Sequence, residues 1–205
     1  RVDDHVVLGK SPMKAVNSAT TTIKPLAPLE IGDECLIGTS AIIYRGAKLG
    51  RKCMVADLGG VREEVTIGEG TIVGRAAYVE NQSTIGSYVK LETFVYVAAY
   101  SSVGDRAFLA PMVTVTNDNF VGRTKERFEH FKGITVERGG RIGANATLLP
   151  GAVVEEDALV GAASVLRGRA PARKISYGQP AKPMRDVPEA QLLENQGWAD
   201  VTPKK

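Results

Sequence analysis

Stepping by six from Ile31, the chain places Ile37, Ile43, Leu49, Val55, Val61, Ile67, Val73, Val79, Ile85, Leu91, Val97, Val103, Leu109 and Val115 in register. All fifteen positions are Ile, Leu or Val. A second column, two residues ahead of each, is almost wholly small, from Cys35, Ala41, Ala47 and Cys53 to Ser101, Ala107 and Val113. The residue after the large aliphatic is often glycine, as at Gly32, Gly38, Gly50, Gly68, Gly74, Gly86 and Gly104. A period of six excludes an amphipathic helix, whose 3.6-residue turn would carry that column around the axis and leave no constant buried face. Short strands satisfy it, because residues two apart share a face and both columns then point inward. The glycine or polar residue that follows is expected to supply the turn, where positive φ is cheap. Three units make a triangular turn of 18 residues, and successive turns stack by parallel pairing at roughly 4.8 Å. The expected fold is all-β, a hexapeptide-repeat solenoid.

The two cysteines fit that frame. Cys35 and Cys53 both occupy the small column and lie 18 residues apart, so they should stack on adjacent turns as reduced, buried thiols. Two cysteines make neither a disulfide framework nor a zinc cluster.

The meter breaks twice. After Val115 it resumes at Val136, 21 residues on, which is not a whole number of units. Residues 116–133 must therefore leave the solenoid and return, and a long excursion from a compact domain is usually functional or disordered. An earlier break spans 9–28; its Ser, Thr and Pro content indicates a surface loop without identifiable chemistry. The meter then runs through Ile142, Leu148, Val154 and Val160 to Leu166. The expected organisation is a β-helix domain over 1–170 with those two loops, and a tail over 171–205. Within the tail, Pro188 can open a short helix that Gly197 stops near Gln196. Such an element would cover the exposed edge of the last turn.

Charge is nearly balanced, with 26 basic against 23 acidic residues, which argues against a dedicated nucleic-acid binder. No apolar run is long enough to span a bilayer. A soluble, cytoplasmic protein is expected.

The six-residue meter, "TNDN" at 116–119, "RIGANATLLPGAVVEEDALVGAASVL" at 141–166 and "YGQPAKP" at 177–183 together resemble the left-handed β-helix acyltransferases. With "VEN" at 79–81, the chain is similar to the bacterial nucleotide-sugar N-acetyltransferases within that superfamily. The left hand of the coil comes from the resemblance alone, since parallel crossovers are ordinarily right-handed. The resemblance implies acetyl-CoA as donor, an amino sugar carried on a nucleotide as acceptor, no metal, and a homotrimer with active sites between subunits. It also places Asn117 and Asp118 at the opening of the active-site loop.

Acetyl transfer to an amine requires a groove for pantetheine, donors for the oxyanion and a group to take the ammonium proton. Gly143–Ala144 and Gly161–Ala162, 18 residues apart, offer either a small-residue rail for pantetheine or ordinary turns. Arg167, Arg169, Arg173, Lys174, Lys182 and Arg185 crowd residues 167–185, as partners for the phosphates of coenzyme A or as a solvated basic segment. Asn81 and Asn117 lie 36 residues apart, and so two turns apart in one column. That is roughly 10 Å by strand spacing, suited to gripping opposite parts of a sugar. Asp118 would accept from an ammonium or orient a base, or else launch the loop as an Asx-turn. His130 has a pKa suited to a general base, although a loop histidine is more often simply solvated. Arg123, Lys125 and Arg127 either meet a nucleotide diphosphate or keep the loop soluble. Glu80 is a substrate contact or a surface carboxylate.

Three rivals remain in view. A γ-type carbonic anhydrase shares the solenoid but needs three zinc-binding histidines, and the chain has two. An O-acyltransferase acting on a hydroxyl and a non-catalytic binding or scaffold solenoid stay open, because fold does not fix function.

Overall fold

The structure is a computed structural model that describes residues 1–198. Three parallel sheets of short strands wrap one core as a left-handed parallel β-helix. The first face runs from Val7–Lys10 through Ile42–Tyr44 to Val165–Leu166. The second runs from Glu30–Ile31 to Arg169–Ala170. The third runs from Leu36–Ile37 to Lys174–Gly178, where Ala181–Asp186 adds an antiparallel strand. Within the regular coils each residue pairs with the one 18 positions away, as Thr66, Thr84 and Ser102 do. Across the second break Ser102 pairs directly with Thr135. The excursion is spliced out of the ladder without moving any residue to another face.

Both inward columns behave as the period requires. From Ile37 to Val115 every member of the large column is at most 4% exposed; Ile31, on an early coil, is partly buried against the core. Polar members of the small column find partners near the corners, as buried polar groups must. Thr71 Oγ1 donates to the Gly86 carbonyl at 2.7 Å, and Cys35 and Cys53 donate to Gly50 and Gly68 at 3.1 Å. Both thiols are free and buried, and burial pushes Cys53 up to about 11.

The turn chemistry differs from expectation. The glycines that follow the large column do not carry the positive φ. That conformation falls two residues later, at Glu34, Ser40, Gly46, Lys52, Leu58, Glu64 and onward at every sixth position, mostly on residues with side chains. Each non-glycine residue held there costs about 1–2 kcal/mol. A ladder of corner hydrogen bonds offsets the cost, including Lys52 N–H to Asp33 O at 2.8 Å and Tyr88 N–H to Glu69 O at 2.8 Å. The glycines serve close stacking instead. A Cβ on Gly68 would stand 2.6 Å from the Gly86 carbonyl carbon and the Ser87 nitrogen on the next coil.

The far end also departs from the sequence reading. The parallel ladders continue past Leu166 through Arg169–Ala170 and Lys174–Gly178. The expected helix from Pro188 is replaced by two single 3₁₀ turns, Glu189–Gln191 and Leu193–Asn195, separated by extended Leu192. Straightening at that point lets Leu192 pack with Ile175 and Val187 while Leu193 is also buried. The Leu193 N–H bonds the Asp157 carboxylate as well.

Candidate functional site

Both breaks in the meter open at the same corner of the triangle. Leu8 pairs with Ile43 on the first face, and Val115 lies on that face too, after Tyr96–Val97. Each excursion re-enters at a strand of the second face, Glu30–Ile31 or Thr135–Val136. That shared phase was readable from the repeat. It is the signal by which the first excursion, expected to carry no chemistry, could have been placed at the site.

The coil holds the first excursion down one corner. Gly46 N–H donates to Ala27 O at 2.9 Å, Lys24 pairs with Glu64 at 2.7 Å, and Arg62 Nη2 donates to Thr21 Oγ1 at 3.1 Å. Asn81 Nδ2 donates to the Thr20 carbonyl at 3.0 Å. The second excursion holds itself. Asp118 accepts from the Phe120 and Gly122 amides and from Arg127 Nε, each at 2.9 Å. Lys132 N–H closes the base on Asn117 O at 3.0 Å. On the return, a Cβ on Gly133 would stand 2.4 Å from the Tyr100 carbonyl, so only glycine passes there without a shift.

Between the two excursions lies a cavity of about 680 Å³. Ala19 and Thr20 wall it from the first excursion, Glu80 and Tyr96 from the coil, and Asn117, Asp118, Arg127 and Phe131 from the second. The Asn117 carboxamide makes no side-chain hydrogen bond among the described residues, and Asn117 lines the cavity. Burial pushes the Asp118 carboxyl up, but the Gly122 and Phe120 amides and Arg127 outweigh it and hold the group below the usual carboxylate range. Glu80 goes the other way: burial raises its pKa more than Arg62, at 3.1 Å, lowers it. Burial, with the neighbouring Glu80 charge, pushes Tyr96 to about 12.

Of the residues proposed from sequence, Glu80, Asn117, Asp118 and Arg127 meet at this cavity. Asn81 does not. It is 1% exposed and turned under Thr20, so it anchors the first excursion and does not face Asn117 across a ligand. His130 also lies outside the cavity walls, half-exposed, stacked on Phe120 at 5.9 Å and 3.6 Å from Glu126. Arg123 is exposed and makes no part of the wall.

The small-residue rail occupies a different corner, between the third and first faces. There Gly143 and Ala162 stack so closely that a Cβ on Gly143 would meet the Ala162 nitrogen at 2.4 Å. Ala163 N–H bonds Ala144 O at 2.8 Å, and Gly161 lies against Tyr177. In the basic segment, Arg169, Arg173 and Lys174 pair with Glu155, Glu194 and Asp186. Arg167, Lys182 and Arg185 make no ion pair among the described residues. Arg167 follows Leu166, whose carbonyl accepts from Leu149 N–H in the cavity wall. Among the described residues no cluster of His, Cys, Asp and Glu could hold a metal ion, and no helix is long and apolar enough to cross a membrane.

The family model for the hexapeptide repeat of succinyl-transferase matches residues 28–56 and 133–167. No curated protein matches the sequence. Among solved structures, WeeI from Acinetobacter baumannii AYE is similar at 21% identity and a TM-score of 0.56, over 66% of this chain and 59% of that protein. The match thus takes in less than two thirds of WeeI. The hexapeptide-repeat acetyltransferase VCA0836 from Vibrio cholerae is similar at 15% identity and a TM-score of 0.44, over 78% and 74%. AntD, an N-acyltransferase from Bacillus cereus solved with dTDP-4-amino-4,6-dideoxyglucose and coenzyme A, is similar at 17% identity and 0.42, over 78% and 87%. At such identities the likeness is one of fold. The chain thus carries the hexapeptide repeat over the matched residues and shares the β-helix fold of WeeI.

Proposed function

We propose that this chain is a coenzyme A-dependent acyltransferase that acetylates the amino group of a nucleotide-linked sugar, working as a homotrimer in the cytoplasm. The observation that carries this reading is the cavity of about 680 Å³ between the two excursions. Its size suits a monosaccharide with part of a nucleotide, and its wall mixes the rings of Tyr96 and Phe131 with Thr20, Glu80, Asn117 and Arg127. Asn117 orients the acceptor, and Asp118, fully engaged by its own loop, fixes the position of Asn117. Arg127 gives the wall positive charge, and Arg123 stands on the exposed loop where a diphosphate would emerge. Pantetheine lies along Gly143, Ala144, Gly161 and Ala162, with Arg167, Arg173, Lys174 and Lys182 as the cations for its phosphates. Rail and cavity occupy different corners of one chain, so a neighbour's rail completes each site in a trimer. His130, outside the cavity wall, contributes to the fold of its loop by stacking on Phe120.

The amine attacks the thioester carbonyl, and the tetrahedral intermediate collapses to amide and coenzyme A thiol. Thiol release with acetyl-CoA and a panel of UDP- and dTDP-linked amino sugars tests the reading, with the matching hydroxyl sugars as control. Turnover is expected with an amino sugar, and Asn117→Ala should lower kcat/KM about 100-fold by misorienting the acceptor. Release with the hydroxyl sugars alone would turn the reading to O-acylation. No thermal stabilisation by any coenzyme A species would end it.

A further inference from the structure

Resting on the reading above, we infer that Glu80 is the group that takes the proton from the acceptor's ammonium. Sequence reasoning would give that task to His130, and the geometry points elsewhere. Four groups on or near the cavity could bind a proton. His130 is outside the wall and half-exposed beside Glu126. Asp118 accepts three hydrogen bonds and is held in its ionised form by them. Tyr96 stays protonated at neutral pH, with its hydroxyl pushed to about 12. Glu80 remains. Its Oε2 accepts from Arg62 Nη1 at 3.1 Å, while Oε1 accepts no hydrogen bond among the described residues.

The support beneath Glu80 is built to aim it. Arg62 Nε and Nη2 bond the buried Glu63 carboxylate at 2.8 and 3.0 Å, and Nη2 also reaches Thr21. The Arg62 guanidinium lies 4.9 Å from the centre of the Tyr44 ring. Arg62 is thus fixed on three sides and offers its remaining nitrogen to Glu80; it is a positioning residue. The charged or titratable groups around Glu80 are Arg62, Glu63, Tyr44 and Tyr96, with the Asp118–Arg127 pair elsewhere in the cavity wall. Burial makes this carboxylate a stronger base than a solvated one while Arg62 limits the shift.

The step balances simply. The ammonium gives one proton to the Glu80 carboxylate, leaving a neutral amine and a carboxylic acid. The amine's lone pair forms the C–N bond to the thioester carbon, and collapse breaks the C–S bond. The departing thiolate takes the second nitrogen-bound proton, and Glu80 returns its own to water.

The pH dependence of kcat/KM separates this role from a structural one. In the wild type the acid limb should lie in the range of a raised carboxylate, below the ammonium's own pKa. Glu80→Gln keeps the shape and leaves the Arg62–Glu63 pair intact. It should lose about 100- to 1000-fold in kcat/KM at neutral pH and rise steadily with pH, so that the deficit closes as the amine deprotonates unaided. Glu80→Asp should restore the carboxylate limb in part. A Glu80→Gln profile parallel to the wild type, at any level, overturns the inference while leaving acyl transfer standing. Should Glu80→Gln not fold, a wild-type acid limb at the ammonium's pKa overturns it equally. If the wild type transfers acyl groups to no amine, the functional reading falls and the inference with it.

Discussion

The two excursions leave the same corner of the coil and wall the same cavity, yet they are held in opposite ways. Residues 116–133 carry their own clasp, since Asp118 gathers two backbone amides and Arg127 within one loop. The first excursion, between Lys10 and Glu30, has almost no internal bonding and is pinned from outside by Gly46, by Arg62 and Glu64, and by Asn81, on three successive coils. A self-clasped loop announces itself locally, in a motif such as "TNDN". A docked loop does not, because its partners lie up to 61 residues away along the chain. The cavity needs both, so half of its construction is invisible to any local motif.

Among changes to the two excursions, breaking the clasp should have the largest effect. Asp118→Ala frees the Phe120 and Gly122 amides and the Arg127 guanidinium together, and Asn117 loses its fixed base. We expect a fall in kcat/KM of about 100-fold with a global stability change within about 0.5 kcal/mol, because the loop lies outside the core. Thiol release and urea denaturation measure the two parts. The clasp is also pH-dependent with a defined sign. Asp118 is held below its ordinary value of 3.8, so its contribution to loop order is present above that pH and is lost as pH falls through the lower folded value. Pepsin cleavage near Phe120 and Phe128 should therefore begin only well into the acid range in the wild type. In Asp118→Ala it should occur at every pH where pepsin acts. Equal cleavage of the two proteins would show that the clasp does not order the loop.

How much of this was readable from sequence depends on what constrained each residue. The large column from Ile37 to Val115 had one physical demand, burial, and one period, so strand, face and core followed directly. The glycines after it are legible as a pattern, but the reason for them is not. Positive φ and the lack of room for a Cβ both select glycine, and sequence does not distinguish them. At Gly68 the next coil's backbone decides it. The residues that do adopt positive φ, such as Leu58 and Tyr88, carry no compositional mark. The spacing of 36 puts Asn81 and Asn117 in one column, but column arithmetic does not give side-chain direction, and Asn81, expected in the site, faces Thr20. His130, likewise, lies outside the cavity wall, its ring stacked on Phe120.

Loosening the docked excursion should do less to activity and more to stability, which sharpens the contrast. Asn81 is buried, and its amide is what fastens the Thr20 carbonyl. Asn81→Ala should cost about 1–2 kcal/mol, moderated because Asn81 Oδ1 already lacks a partner. It should lower kcat/KM only several-fold, since Asn117 and its clasp stay intact. Urea midpoints and thiol release on one preparation check both. A large activity loss without a stability change would mean that Asn81 touches the ligand after all.

The smallest effect should come from Lys24, although its distance to Glu64, 2.7 Å, is the shortest among the contacts that dock this excursion. Lys24 is 43% and Glu64 33% exposed, so water screens the pair, and holding two long side chains in one geometry offsets much of the attraction. Lys24→Ala should therefore change stability by under about 1 kcal/mol and leave kcat/KM where it was. The wild-type urea midpoint, likewise, should shift little as NaCl rises from 50 to 500 mM, which shortens the reach of exposed charges about threefold. If that midpoint fell with salt and Lys24→Ala reproduced the fall at low salt, the first excursion would be held by surface charge rather than by the buried Asn81 bond. Surface charge would then rank above the Asn81 bond as the anchor of this excursion.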